Sequence, residues 1–220
     1  TLVVLCSAAL VMIGNTVTGN FFERYQRVGY YQTVFRGEND KLKLSAMKQI
    51  SLQYGPDLEE RSKMLIEQLD AESARIRRGA ANSLAKVTKQ TARGVRILAL
   101  SGAKVRERWE FRVLTEMRKE VVPRLFSLLE STEDESFKLG AWLAIAAALP
   151  EKIEGFANQR RNVISLESAE RMVINVVLGK VMNLESTPIL FEEMDEDRPE
   201  RTRIAAIWAM AMILEKYEDP

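Results

Sequence analysis

The side chains able to do chemistry in this chain are a restricted set. Its 220 residues include no His and a single Cys, Cys6. Ser-His-Asp and Cys-His nucleophilic sites, His- or Cys-ligated zinc, HExxH centres and intrachain disulfides are therefore excluded by composition. Carboxylates, cations and a few aromatic rings remain. Glu107, Trp109 and Glu110, flanked by Arg106, Arg108 and Arg112, form the cluster in which carboxylates able to move a proton lie beside an indole and fixed positive charge. The spacing of Trp109 is also that of a core residue. A second acidic group, Glu192, Glu193, Asp195, Glu196 and Asp197, has carboxylates in the number a Ca²⁺ ion uses, but neither EF-hand spacing nor its glycine. It reads better as a turn ahead of a helix N-terminus, where the dipole favours acids. No cofactor and no metal is expected.

Charge supplies the other functional signal. The formal net charge is +1, from 32 basic and 31 acidic residues, so no global argument for a polyanionic partner is available. The balance conceals a division: residues 75–124 carry 14 basic and 4 acidic side chains, and residues 125–220 carry 10 and 18. Arg75, Arg77, Arg78, Lys86, Lys89, Arg93, Arg96, Lys104, Arg106, Arg108 and Arg112 are the candidate interaction surface, for an acidic protein face or anionic lipid. Solvated helix faces, or pairing with the acidic last third, are the alternative. Nucleic acid is disfavoured, because no RNP-type sheet, zinc finger or glycine-rich phosphate loop accompanies the cations.

The elements that must position these residues are helical. From residue 41 onward apolar residues recur at three- and four-residue intervals with no alternating strand pattern. Pro123 to Leu149 aligns without a gap to Pro188 to Leu214. Both copies hold Pro-x-Leu-Phe, an acidic turn and a small pair, Gly140-Ala141 and Ala205-Ala206. A weaker third copy runs through Leu65, Ile66 and Leu69, then Asp70-Ala71-Glu72, then Gly79-Ala80-Ala81. Pro56, Pro123 and Pro188 suit first helical turns; Thr187, Thr132 and Asp197 suit caps. The small pairs let helices approach closely, with Trp142 and Trp208 expected to fill the layer between them. A further helix precedes each pair, at about 42–54, 103–120 and 166–184, the middle one marked by Val105, Trp109, Val113, Met117 and Val121. The stretches 89–102 and 150–165 read as long links.

These helix pairs resemble HEAT repeats, and the three-helix grouping resembles the armadillo variant. The resemblance covers residues 41–216 and implies an all-α fold: an α-solenoid of about three three-helix units, at about 41–88, 103–149 and 166–215. The period exceeds that usual for such repeats, and the familiar Asp-Pro turn is replaced. A curved stack that binds other macromolecules is what the resemblance implies. HEAT-like folds also include alkylpurine DNA glycosylases and some bilin lyases, which makes an enzyme the alternative. An acid beside Trp in a basic groove is the minimum for the former, and Glu107, Trp109 and Glu110 are its only candidates.

The front of the chain is different. Residues 1–22 carry no charge and Leu2 to Ile13 is apolar apart from Ser7. A helix of that length would reach about 33 Å, a bilayer core. Phe21, Phe22, Arg24, Tyr25, Arg27, Tyr30 and Tyr31 then mix rings and cations as a lipid interface does. A transmembrane helix over 1–22 and a juxtamembrane segment over 23–40 are therefore expected, with a buried core helix as the alternative. Because the chain does not begin with Met, residue 1 reads as an internal or processed position. A single-pass membrane protein follows, its repeat domain on the cytoplasmic, stromal or matrix side by the positive-inside tendency. The expected function is a non-enzymatic, membrane-anchored scaffold or accessory subunit that binds membrane proteins of a larger complex, with a peripheral anionic-lipid-binding protein as a further alternative beside the enzyme.

Overall fold

A computed structural model describes residues 27–218, and every regular element among them is helical. The helices are α1 (27–36), α2 (Asp40–Leu52), α3 (Leu58–Glu67), α4 (Ala74–Leu100), α5 (Trp109–Glu116), α6 (Val122–Ser131), α7 (Glu135–Ala148), α8 (Ile153–Arg161), α9 (Ala169–Val181), α10 (Thr187–Glu192) and α11 (Glu200–Glu218). The all-α expectation stands, but the single-pass membrane topology expected beside it is corrected. Among the described residues no helix is long and apolar enough to cross a membrane. The stretch 1–22, with Phe21 and Phe22, and also Arg24 and Tyr25, lies outside the described residues. The localisation at a membrane loses its support with that topology. Of the expected interfacial residues that are described, Tyr31 is 1% exposed and donates its hydroxyl to Gln53 Oε1 at 3.3 Å. Tyr30 is exposed and packs edge-on against it, and Arg27, the first described residue of α1, is exposed. Phe35 is buried beside Tyr31 in the main core, so α1 is part of the helical domain rather than a separate segment.

The long helices α2, α4, α7, α9 and α11 form one row in which each packs on the next. Small residues set their spacing. A Cβ on Gly140 of α7 would come within 2.7 Å of Asn82 Oδ1 and 3.0 Å of the Asn82 backbone nitrogen on α4. A Cβ on Gly179 of α9 would meet the Cα of Ala209 on α11 at 2.6 Å. Paired contacts advance together along neighbouring helices: Gly79 faces Leu44 and Met47, Gln90 bonds the Ser51 carbonyl, and Gly94 faces Tyr54. α2 and α4 are therefore parallel, as are α4 and α7 through Arg78 to Asp134 and Asn82 to Gly140. Shorter helices such as α3 and α6 make the return connections. Trp142 is fully buried between Phe126 and the Glu170 carboxylate, to which its indole donates at 3.1 Å. Trp208, expected to play the same part in α11, is instead 42% exposed.

Three local departures have identifiable causes. The stretch from 89 to 100 is not a link but the second half of α4, which runs 27 residues. Gly94 does not break it, because its missing side chain is where the Tyr54 ring sits; an added Cβ would lie 2.0 Å from the Tyr54 hydroxyl. The second expected link contains α8, whose Ile153 and Ala157 are fully buried one turn apart. Between α5 and α6 a π turn spans Met117–Val121. Apolar residues spaced by four drift about 40° per step around an α-helix. The wider turn brings Val113, Met117, Val121 and Leu125 back onto one buried face. It also falls just before Pro123, which has no N–H to offer the preceding turn.

Caps differ in detail from expectation: Asp134 rather than Thr132 caps α7, accepting from the Phe137 N–H at 3.0 Å. The Thr187 hydroxyl donates back to the Leu184 carbonyl. The helix at 169–181 packs between α7 and α11, whereas α5 packs on α3 and α4, so the helices expected to precede each pair are not equivalent in space.

Candidate interaction surface on the longest helix

α4 contains no acidic residue. Its cations fall at 75, 77, 78, 86, 89, 93 and 96. Arg75, Arg78, Lys86, Lys89, Arg93 and Arg96 follow one another at three- or four-residue steps, with Asn82 filling the single gap. They occupy an arc of about 80° on one exposed face and run about 32 Å along the helix. Only Arg78 in this row has an ion pair among the described residues, to Asp134, with Nη2 2.7 Å from Oδ2. Burial acts to raise the Asp134 pKa. The hydrogen bonds from Arg78 and from backbone N–H groups outweigh it and hold the carboxyl below its ordinary value.

The remaining predicted cations divide by geometry. Arg77 turns back to the preceding turn, donating to the carbonyls of Ala71 and Glu72 at 2.8 and 2.7 Å, and is a cap rather than part of the row. Lys104, Arg106 and Arg108 are exposed on the turn after α4. Arg112 pairs with Glu59 at 3.0 Å, and Arg124 with Asp70. The row ends in exposed aliphatic residues, Ile97 and Leu100, the latter 82% exposed.

The cluster around Trp109 is arranged differently. The Trp109 ring packs on Tyr54 with centroids 4.7 Å apart, and Tyr54 donates to Glu110 Oε1 at 3.4 Å. Burial of the phenol first, and then the charge and hydrogen bond of Glu110, push the Tyr54 pKa up to about 12. Glu110 is buried, while Glu107 is exposed on the preceding 3-10 turn. The open cleft beside them, about 500 Å³, is lined by Glu59, Glu60, Lys63, Glu107, Arg108, Trp109 and Arg112, and not by Glu110. The two carboxylates are thus not presented together beside the indole.

The acidic run at 192–197 is also divided. Glu193 is fully buried, accepting from Arg161 Nε at 2.9 Å and pairing with Arg171. Glu192 is exposed and reaches Arg161 from outside at 3.3 Å. A second buried group joins Glu170 to Arg160 at 2.9 Å, with Lys138 at 3.8 Å. These charges fasten α7, α8 and α9 to one another and to the end of α10. Sequence reasoning missed them, since nothing in spacing alone distinguishes Arg161 or Glu193 from solvated charges.

No family model, curated protein or solved structure matches the chain.

Proposed function

We propose that the chain is a non-enzymatic binding scaffold, a short HEAT- or armadillo-like helical stack that holds an acidic partner protein along α4. The observation that carries this reading is the acid-free helix with six cations in one exposed row, five of them without an ion pair among the described residues. Parallel long helices joined by shorter return helices support the repeat-like part of the reading. An acidic helix presents carboxylates at the same three- and four-residue steps, so two rows can meet in register. Nucleic acid fits less well. α4 is wedged between α2 and α7 and cannot project into a major groove, and no aromatic residue lies within the row for bases to stack on.

The test uses the full chain and a defined probe, a fluorescent poly-glutamate peptide. Binding that weakens steeply with salt, and that falls about tenfold in Lys89→Gln/Arg93→Gln, supports the proposal. Equal binding by that variant, or tighter binding to duplex DNA or to anionic vesicles than to the peptide, overturns it.

A further inference from the structure

A second surface lies at the other end of the row, on α11. Its inward face holds Thr202, Ala206, Ala209 and Ile213, all buried against the stack. Its outward face would ordinarily be polar, yet Ile204 is 58% exposed, Ile207 52% and Leu214 47%, with Ala211 exposed between them. These four positions step by three, four and three residues. This is the a/d spacing of a helix seam that packs against another helix, continued over nearly two heptads. Trp208 flanks the seam.

We infer that this seam pairs with the same seam on a second copy of the chain, the two α11 helices running antiparallel about a two-fold axis near residue 209. Three features of the helix itself select this occupant. In that register Ile204 meets Leu214 of the other copy and the large Ile207 meets the small Ala211, so knobs and gaps alternate. Arg201 comes beside Glu215 of the other copy on the same side of the seam, twice by symmetry. Neither Arg201 nor Glu215 has an ion pair among the described residues, so both are available to cross the interface. A parallel pair would instead set Glu215 beside Met210 of the other copy and leave Arg201 without an acid. The chain's own α1 and α2 do not reach the seam, because they stand at the opposite end of the row, beyond α4, α7 and α9. The cation row on α4 lies on a different helix and remains open in this dimer.

The experiment is sedimentation equilibrium of the full chain over micromolar to submillimolar concentration, with circular dichroism confirming that each variant keeps its helix content. A reversible monomer–dimer equilibrium is expected. Ile207→Glu, at an exposed position, should weaken it by about tenfold or more by placing a carboxylate in the seam. Arg201→Glu and Glu215→Arg should each weaken it by about tenfold, and the double variant should restore it. A chain monomeric throughout the range, or a dimer indifferent to Ile207→Glu, overturns the proposal. Single reversals that weaken the dimer without rescue in the double variant overturn its antiparallel geometry.

Discussion

Neutralising the middle of the cation row should stabilise the protein. Lys86, Lys89, Arg93 and Arg96 stand at three- and four-residue separations along α4, where like charges repel. Replacing Lys89 and Arg93 with Gln removes three such pairs: 86 with 89, 89 with 93, and 93 with 96. Each is worth about 0.2–0.5 kcal/mol, giving a gain of about 1 kcal/mol at low ionic strength. Gln has nearly the helix propensity of Lys and Arg, so backbone preference contributes little. For a chain of this size the gain corresponds to a rise in Tm of about 2–4 °C. Urea denaturation followed by circular dichroism at about 0.01 M and about 1 M salt is the assay, since the screening length falls from ~30 Å to ~3 Å between them. The midpoint should rise at low salt and the gain should vanish at high salt. An unchanged or lower midpoint at low salt would refute the reasoning, because the row would then be held by partners of its own. A gain that survives high salt would show that its origin is not repulsion. The same two substitutions weaken poly-glutamate binding in the proposed function, so stability and binding should move in opposite directions.

Two further outcomes test the packing and the Tyr54 site. Gly179→Ala should destabilise by about 1–3 kcal/mol, because its Cβ would meet backbone on α11, while Gly155→Ala, with nothing within 4 Å, should be neutral or stabilising by up to ~1 kcal/mol; chemical denaturation of both measures the contrast. Tyr54 has a folded pKa raised from 10.0 to about 12, so its contribution to stability is present below pH 10 and is lost as pH rises through that window. Ultraviolet titration of tyrosinate should lose its highest component in Tyr54→Phe; loss of a phenol titrating near 10 instead would mean that neither burial nor Glu110 raises it.

The helical architecture was legible because periodicity survives packing. The buried Ile174, Val177 and Leu178 of α9, or Leu125 and Leu129 of α6, sit where their spacing places them. The small residues were legible for the same reason: Gly140 is where α4 and α7 come close, and Ala206 is fully buried in the core. The continuation of α4 past residue 89 was not. Gly94 reads as a breaker until Tyr54 is seen to occupy its space, a contact forty residues away in the chain. The basic stretch was visible as composition, but its sorting was hidden. Arg77 caps a turn, Arg112 is paired, and the others align, according to a helix length that the sequence understated. Trp142 aligns with Ile207 in the two copies, yet the first is fully buried and the second 52% exposed, because α7 lies between α4 and α9 while α11 ends the row; Trp208 stands one position out of that alignment.

The length of α4 governs how the stack can come apart. A helix that packs on α2, α3, α5 and α7 at once belongs to every layer between them. None of those layers can loosen without releasing the rest. The first two thirds of the described chain are thus tied together through one helix. α9 and α11 grip each other more extensively than either grips α7, which makes them a second block. The division between the blocks runs along the seam of α7 and α9, separating the cation row from the apolar face of α11. That seam is itself bridged, by Trp142 and Lys138 of α7 to Glu170 of α9, so the two surfaces lie on either side of a shared buried contact.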